Sequence, residues 1–355
     1  MKNIAIVCNY TLNPARIGGM DRFFVAYDKA CKAKGFQAKW FFSSGEYFRF
    51  YDKLDMEISS QCPLEEFFLE FQKENHWKFD IVITHFVELC TPFFKKIKQC
   101  DNPKIIAVDH NPRPINGFSL KKRWKNKIKG ELYSQYIDVF IGVSVYTKRQ
   151  ILKDYGRKLN SKTEVVHNGI AVEEYSKRKE INHGKFIVAS HLRPSKGIQD
   201  IIKAVGLLKP NIRQDIKIDI FGEGPMEEKL KKIVKAENLE NQIHFRGSSP
   251  KLPKLFKNYS YLLQPTYMEC FSLSILESLA ANVPVITTSV GGNLEVVENE
   301  INGFIFEPGN IQQLSEIICD ILQNKKIIQK PVNTLIENKY YLEKMVADHL
   351  CLLVK

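Results

Sequence analysis

The sequence predicts an α/β protein made of two doubly wound, Rossmann-like domains that face each other across a cleft. Three observations lead to this prediction. Short runs rich in Ile, Val and Phe alternate with amphipathic stretches, the alternation stops at a polar segment over 173–184, and it then starts again. Alternating strands and helices indicate parallel sheets with right-handed crossovers. A chain of 355 residues also fits two domains better than one.

The N-terminal half carries the first alternation. Its apolar runs are nearly continuous, as expected for strands covered by helices on both faces. Predicted strands occupy 4–8, 38–42, 80–84, 104–108, 139–143 and 163–166. Predicted helices occupy 20–34, 64–75, 92–99, 120–135 and 146–155.

The second alternation follows the polar segment. Predicted strands occupy 186–190, 217–221, 242–245, 261–264, 284–288 and 304–306, and predicted helices occupy 198–208, 226–237, 251–258, 273–281 and 311–323. We therefore expect an N-terminal domain over 1–170, a linker over 171–184 and a C-terminal domain over 185–330. The remaining stretch, 331–355, is predicted to be a helix that packs back on the N-terminal domain.

Composition restricts the classes of protein that the chain can belong to. The net charge is +12, and residues 1–170 hold 28 Lys and Arg against 18 Asp and Glu, so the first half carries most of the excess. Such a basic half favours anionic partners. The apolar runs are too short for a secretory leader or a membrane span, which need about 7–15 and about 18 residues. The eight cysteines form no C-x-x-C pair, so we expect free thiols in a cytoplasmic protein.

The densest chemical signal lies between residues 264 and 295. Glu269 follows a predicted strand and Glu277 comes eight residues later, inside the next predicted helix. The start of that helix, near Ser272, presents free backbone N–H groups and the positive end of the helix dipole, which suit a phosphate. A Pro-Val strand start at 284–285 and the Gly291-Gly292 pair follow. Taken alone, the two carboxylates would more often be solvent-facing side chains at a helix start.

In this combination the sequence resembles the retaining glycosyltransferases of family 4, which have the GT-B fold. The resemblance implies transfer of a sugar from a nucleotide-sugar donor, with Glu269 as a catalytic residue. It also implies that four residues bind the donor diphosphate and sugar and that Glu277 binds the nucleoside. The four donor residues are Cys270, Phe271, Ser272 and Leu273.

Two further stretches of the C-terminal half match the family in order. The segment 190–197 resembles its Arg- and Lys-bearing loop, in which the two cations clamp the donor diphosphate, as a guanidinium and an ammonium do well. Lys196 lies in register, His191 occupies the usual Arg position, and Arg193 is predicted to supply the guanidinium. The turn with Gly222 and Gly224 and the strand with Phe245 and Arg246 are expected to bind the nucleoside.

The N-terminal half matches the family mainly in its layout. Gly18 and Gly19 stand between the first strand and the first helix, where the family has a Gly-Gly loop near the donor phosphate. His110 follows a strand, where the family often has a histidine near the reacting sugar. A helix-start turn without a ligand and a structural histidine are the alternatives.

The helix predicted over 120–135 is strongly basic. Lys121, Lys122 and Arg123 precede Trp124, and apolar residues recur every four positions. Such a helix could lie on an anionic membrane as a peripheral contact. Alternatively, its apolar stripe could belong to the core and its lysines to an ordinary solvated face.

The expected function is transfer of a hexose or N-acetylhexosamine, with a UDP-sugar favoured as the donor. The favoured acceptor is a glycan, lipid-linked, in bacterial capsule, O-antigen or exopolysaccharide synthesis. No metal-ligand pattern appears in the sequence, so no metal or cofactor is expected. A nucleotide-sugar 2-epimerase and a non-catalytic nucleotide-sugar sensor are the alternatives, whereas nucleic acid is not expected because the aromatic residues are not interleaved with the basic ones.

Overall fold

A computed structural model, which describes residues 2–59 and 62–354, divides the chain into two compact units. Unit 1 contains Met1–Asn168 and Leu342–Lys355, and unit 2 contains Gly169–Tyr341. The predicted linker over 171–184 therefore belongs to unit 2. It is anchored there by the buried Arg178, whose guanidinium donates to the Ser260 carbonyl at 2.9 Å.

Unit 1 is built on a seven-stranded parallel sheet in the order β3-β2-β1-β4-β5-β6-β7. The strands are β1 (Lys2–Leu12), β2 (Phe36–Gly45), β3 (Asp55–Ile58), β4 (Ile81–His85), β5 (Lys104–Asp109), β6 (Val139–Gly142) and β7 (Thr163–Val165). Its helices are α1 (Gly19–Ala33), α2 (Leu64–Glu74), α3 (Pro92–Asp101), α4 (Leu120–Tyr133), α5 (Val145–Tyr155) and, at the end of the chain, α13 (Leu342–Val354).

Unit 2 contains a six-stranded parallel sheet in the order β10-β9-β8-β11-β12-β13. The strands are β8 (Lys185–Ala189), β9 (Lys217–Phe221), β10 (Ile243–Gly247), β11 (Tyr261–Gln264), β12 (Val285–Thr288) and β13 (Gly303–Phe306). The helices are α6 (Ile198–Gly206), α7 (Pro210–Arg213), α8 (Glu227–Ala236), α9 (Leu252–Leu255), α10 (Leu273–Ala280), α11 (Ile311–Leu322) and α12 (Thr334–Lys339).

Both strand orders reverse next to the first strand of their unit, which is the signature of a doubly wound sheet. The predicted fold class is therefore confirmed for each unit. In each sheet the loops that leave the carboxyl ends of the central strands meet at one edge, where ligands of such sheets bind. Among the described residues, no helix is both long and apolar enough to cross a membrane.

The structure differs from the prediction at an edge strand and at the chain end. The strand β3 was missed because its sequence, Asp-Met-Glu-Ile, is half polar, and it lies at the sheet edge, where Lys39 pairs with Asp55 and Glu57. The terminal stretch is two helices, since the chain leaves α12 at Tyr340 and begins α13 at Leu342. Only α13 packs in unit 1, against α1.

Candidate active site

In unit 2, the loop after β8 is hydrogen-bonded to the turn after β11. The Tyr267 amide donates to the Ser195 carbonyl at 2.8 Å, and the Thr266 hydroxyl donates to the same oxygen at 3.1 Å. Gly197 has φ +70°, and a Cβ at this position would lie 1.8 Å from the Pro265 carbonyl oxygen. Only glycine permits this backbone approach, so these contacts fix the position of the residue before it, Lys196.

Lys196 and Glu269 form an ion pair at the carboxyl edge of the unit 2 sheet. Their Nζ and Oε2 atoms are 2.8 Å apart, and the two side chains are 24% and 14% exposed. The Gln264 amide also approaches Glu269 Oε2, at 3.3 Å. The structure thus brings together the two residues that the sequence predicted for the diphosphate and for catalysis.

The Gly291-Gly292 turn after β12 supports Glu269 from the other side. Gly291 has φ +63°, and a Cβ there would be 1.9 Å from the Glu269 carbonyl oxygen. The Gly292 amide donates to the Cys270 carbonyl at 3.0 Å. Glycine is therefore required at position 291 for the backbone approach that holds the loop carrying Glu269.

The N-terminus of α10 lies directly after this loop. The Ser272 hydroxyl caps the helix by accepting from the Ile275 amide, and it also pairs with the buried Gln264 side chain. Within the described chain, the amides of Leu273 and Ser274 donate to no protein group. Two N–H groups at the positive end of the helix dipole are thus available to an anion.

The side chains of Cys270 and Phe271 are buried in unit 2. They are 4% and 3% exposed, and the Phe271 ring packs 5.3 Å from the Tyr340 ring. The burial favours a packing role for the Cys270 side chain. If either residue meets a donor, it does so through its backbone.

Arg193 is the exposed cation next to Lys196. Its guanidinium makes no hydrogen bond or ion pair with any residue that the structure describes. Its backbone is fixed, however, because its carbonyl accepts from the Lys196 amide at 3.0 Å. A free guanidinium on a fixed loop is well suited to a phosphate, and the diphosphate role of Arg193 stays a prediction.

The glycines of the 222–224 turn pack against the loop after β8. A Cβ on Gly222, which has φ +122°, would lie 2.0 Å from the Ser190 carbonyl oxygen, and one on Gly224 would lie 2.6 Å from the Leu192 carbonyl oxygen. The Leu192 amide donates to the Glu223 carbonyl at 2.9 Å. Loop packing by itself therefore accounts for both glycines that were predicted to bind the nucleoside.

The other predicted nucleoside residues are spread over β10 and α10. The Arg246 guanidinium is engaged with Asp219 at 2.6 Å, and the Phe245 ring lies 5.8 Å from the Lys231 ammonium of α8. Glu277 is half-buried on α10. In this structure the Arg246 side chain is therefore committed to a protein carboxylate.

In unit 1, Gly18 is the N-cap residue of α1. Its amide donates to the buried Asp21 carboxylate at 2.7 Å, and the same carboxylate accepts from the Tyr10 and Tyr51 hydroxyls. The backbone of Gly18 has φ −108°, and a Cβ there would meet only Asp21 Oδ2, at 3.5 Å. The fold therefore does not require glycine at position 18, and the Gly18 amide is already occupied. Gly19 is buried in the first turn of the helix.

His110 follows β5 and contacts residues at the end of β4. Its Nε2 atom lies 3.0 Å from Nδ1 of His85, and its ring stacks on Phe86 with centroids 4.1 Å apart. Phe86 has φ +60°, an unfavourable conformation for a residue with a side chain. Which of the two imidazoles donates depends on the tautomer.

Three histidines of unit 1 form a cluster, because the His349 ring of α13 lies 5.9 Å from that of His85. Burial lowers the pKa of His110 to about 3 and that of His349 to about 4, and it holds the pKa of His85 well below its ordinary value. His110 is half-buried, whereas His85 and His349 are enclosed. The cluster is therefore neutral at neutral pH.

Sequence reasoning missed the residues that support the predicted ones. Gln264, Asp21 and His85 are each buried and polar, and each hydrogen-bonds to a residue that was singled out. Gln264 and His85 end β11 and β4 at the carboxyl edge of their sheets, where ligands bind, and this position was the available signal. Asp21 lies in the first turn of α1, where no such signal marks it. The strand-end signal was overlooked because polar residues are also common in the turns that follow strands.

Two family profiles match the chain in succession. The profile described as Glycosyltransferase Family 4 matches residues 18–174, and the one described as Glycosyl transferases group 1 matches residues 172–340. The chain belongs to the GT-B glycosyltransferases of family 4. The two matched regions include every site residue that the sequence predicted.

Curated relatives of this family 4 glycosyltransferase are distant in sequence. An uncharacterized glycosyltransferase of Methanocaldococcus jannaschii is 28% identical over 234 residues, which cover 64% of this chain and 62% of that one. The poly(glycerol-phosphate) alpha-glucosyltransferase of Bacillus subtilis is 26% identical over 66% of this chain and 38% of its own. The matches thus span about two-fifths to three-fifths of these relatives.

Solved GT-B structures cover the whole of this glycosyltransferase. Anabaena HepE in complex with UDP superimposes with a TM-score of 0.80 and 17% identity, over 100% of both chains. TarM superimposes with a TM-score of 0.75 and 14% identity, over 99% of this chain and 98% of that one. At these identities the likeness establishes the fold.

Proposed function

We propose that this chain transfers a hexosyl or N-acetylhexosaminyl group from a UDP-sugar to a hydroxyl of a glycan, with retention at the anomeric carbon. The observation that carries the proposal is the Lys196–Glu269 pair, 2.8 Å apart beside the N-terminus of α10. Family membership supports the reaction class, and retention is proposed from the family alone. The UDP bound in the HepE structure supports the choice of donor.

The proposed chemistry is stabilisation of the leaving diphosphate. Lys196, Arg193 and the Leu273 amide would meet its negative charge, and such preorganised donors are usually the largest catalytic contribution. A diphosphate would compete with Glu269 for the Lys196 ammonium. Glu269 would then be released towards a sugar hydroxyl, for which a carboxylate is a good acceptor.

Donor binding can be tested by thermal unfolding with UDP-glucose, UDP-N-acetylglucosamine and GDP-mannose. A bound donor stabilises the folded state by mass action, so a UDP-sugar should raise the melting temperature. Lys196→Ala should abolish that rise, and Glu269→Gln should lower transfer by about a hundredfold, as the loss of one transition-state contact does. Transfer is measured as UDP release that depends on an acceptor.

The control for Lys196→Ala is Lys326→Ala. Lys326 also pairs with a carboxylate, that of Asp320 at 3.3 Å, but just after the C-terminus of α11 and with no contact, in the described chain, to a predicted site residue. This variant should keep the donor-induced shift. Equal shifts in both variants would refute the diphosphate role of Lys196. Formation of an epimerised donor without any acceptor would favour the 2-epimerase.

We also propose that transfer requires no metal ion. The cations and amides around Lys196 would supply the positive charge that a divalent ion supplies in metal-dependent transferases. Activity should therefore survive an excess of chelator, measured by the same UDP-release assay. Activity that is lost with chelator and restored by manganese would contradict this proposal.

The proposed acceptor is a lipid-linked glycan of a bacterial surface polysaccharide, made at the inner face of the plasma membrane. Curated relatives named for polyol-phosphate polymers support surface polymers as acceptors. The exposed apolar side chains of α4 support peripheral contact with the membrane: Leu120 and Trp124 are 76% and 74% exposed. The stripe of α4 is thus not core, which was the alternative left by the sequence.

A further inference from the structure

A depression on the surface of unit 1, here called the basin, is lined by five cationic side chains. It encloses about 610 Å³ between α4, α5 and the 3-10 turn Arg157–Lys162. It is lined by Arg123, Lys127, Arg149, Leu152, Lys153, Arg157 and Asn160. None of these lining residues belongs to the donor site described above.

The basin cations lack the carboxylate partners that neighbouring lysines have. Lys122 and Lys129 of α4 both pair with Glu88, and Lys158 pairs with Glu131. In the part of the chain that the structure describes, none of the five basin cations forms an ion pair. The basin therefore concentrates positive charge that the protein itself does not neutralise.

The carboxylate that follows Lys153 in the sequence, that of Asp154, is committed elsewhere. Asp154 of α5 is buried and accepts from the Arg113 guanidinium at 2.9 Å, and Arg113 pairs with Asp109 as well. A side-chain rearrangement that neutralised the basin would have to break this buried network. Such networks are costly to break, because a charge is then left unpaired.

Close helix packing fixes the basin. At Gly130 a Cβ would lie 2.0 Å from the Tyr155 carbonyl oxygen, so α4 and α5 approach each other backbone to backbone. This contact places the cations of both helices around one depression. Like charges held together repel one another unless an anion lies between them.

The same helix carries an apolar ridge beside the basin. The ridge consists of Leu120, Trp124 and Ile128, all exposed, on the side of α4 opposite its buried residues Asn126 and Gly130. An exposed apolar ridge flanked by cations matches the boundary between lipid headgroups and acyl chains. A soluble polyanion would meet the cations but would leave the ridge in water.

We infer that the basin binds the phosphate groups of anionic bilayer lipids while the α4 ridge enters the headgroup boundary. This inference deepens the membrane contact proposed above, and it adds cations of α5 and the following turn that lie outside the predicted basic helix. The docking surface thus has three elements: α4 supplies the apolar contact and two of the five cations, α5 supplies two more, and the following turn supplies the fifth.

The test is sedimentation of the full chain with vesicles of phosphatidylcholine, alone or mixed with phosphatidylglycerol. Binding is expected only to the mixed vesicles. Each cation near an anionic surface contributes roughly a factor of five, so the triple change Arg149→Gln, Lys153→Gln and Arg157→Gln should weaken binding by about a hundredfold. Trp124→Ser should weaken binding as well.

The matched control removes three exposed lysines of α8, through Lys229→Gln, Lys232→Gln and Lys235→Gln. It changes the net charge equally and should keep vesicle binding. Equal loss in both triple variants, or native binding by the basin variant, would overturn the inference. The inference would also be overturned if soluble polyphosphate displaced the vesicles from the native protein and the Trp124→Ser variant bound vesicles as well as the native protein does.

The donor-induced thermal shift separates this inference from the proposed reaction. The basin variant should keep its shift with UDP-glucose, because none of its changed residues lies at the donor site. A basin variant that loses vesicle binding and keeps the thermal shift supports the lipid-binding role of the basin. If the native protein bound vesicles but showed no thermal shift with any donor, the proposed reaction would be contradicted and the lipid-binding role of the basin would stand.

Discussion

Two glycines that the sequence singled out differ in whether the fold leaves room for a side chain. At Gly291 a side chain would collide with the Glu269 carbonyl, and the backbone is left-handed. At Gly18 the backbone is extended and a Cβ would have an ordinary contact distance of 3.5 Å. Gly291 is therefore explained by the fold, whereas the lack of a side chain at position 18 is not.

We predict that Gly18→Ala lowers transfer at least about tenfold while changing the free energy of unfolding by less than about 1 kcal/mol, the size of an N-cap effect. The reason is the role that the family resemblance implies for Gly18, a backbone that the donor phosphate approaches closely, which a side chain would hinder. Chemical denaturation and the UDP-release assay measure the two effects.

Gly291→Ala serves as the comparison for that variant. Its φ of +63° and the clash with the Glu269 backbone should lower both stability and transfer. If Gly18→Ala retained native turnover, the space beside Gly18 would have no part in donor binding.

Individual site residues were predictable where a motif fixed their spacing. Lys196 and Glu269 are 73 positions apart in the sequence, and only the family resemblance linked them in advance. Arg246 was predicted to bind the nucleoside, but its guanidinium pairs with Asp219. Spacing could not anticipate that pair, because the partner lies on a neighbouring strand.

Strands and helices were predictable where their sequence was apolar. The central strands were located from their runs of Ile, Val and Phe, since burial on both faces leaves room for little else. The edge strand β3 escaped detection because its carboxylates face Lys39. Edge strands often carry charged side chains that prevent pairing with other chains. Those side chains interrupt the apolar run by which a strand is recognised in the sequence.

Helix α4 shows why periodicity alone does not decide burial. Its apolar residues recur every four positions, which fits a core-facing stripe equally well. In the structure the buried face instead contains Asn126 and Gly130, because Gly130 permits close contact with α5. The exposed ridge is thus a consequence of helix packing.

The chain as a whole returns from unit 2 to complete unit 1 with α13. That helix places His349 against Phe23 of α1, with ring centroids 5.0 Å apart, and near His85. Since His349 is 3% exposed, its protonation would bury a charge. The stability of the molecule is therefore coupled to pH through this cluster.

We predict that the free energy of unfolding falls as the pH drops from about 6.5 towards 4. The unfolded chain takes up a proton near the ordinary histidine pKa of about 6.5, whereas the pKa of folded His349 is about 4. In that interval the unfolded state binds more protons, and His349 alone should cost about 2 kcal/mol at pH 5. Urea denaturation between pH 7.5 and pH 5 measures the change.

His349→Gln should reduce the pH dependence of the free energy of unfolding, since glutamine does not titrate. The comparison is His76→Gln, which replaces an exposed histidine of the same unit and should leave the dependence native. A pH profile that is identical in the native chain and the His349→Gln variant would show that His349 is not the source.

By itself the sequence determined the α/β class, the two alternating halves, the family and the loops that bear Lys196 and Glu269. Those features are local, because they follow from burial patterns and from motifs whose residues are close along the chain. Only the tertiary structure decided that the last helix completes the first unit, that His85 and His349 surround the site of His110, and that five cations share one basin. These are contacts between residues far apart in sequence, whose free energy depends on packing that no local pattern encodes.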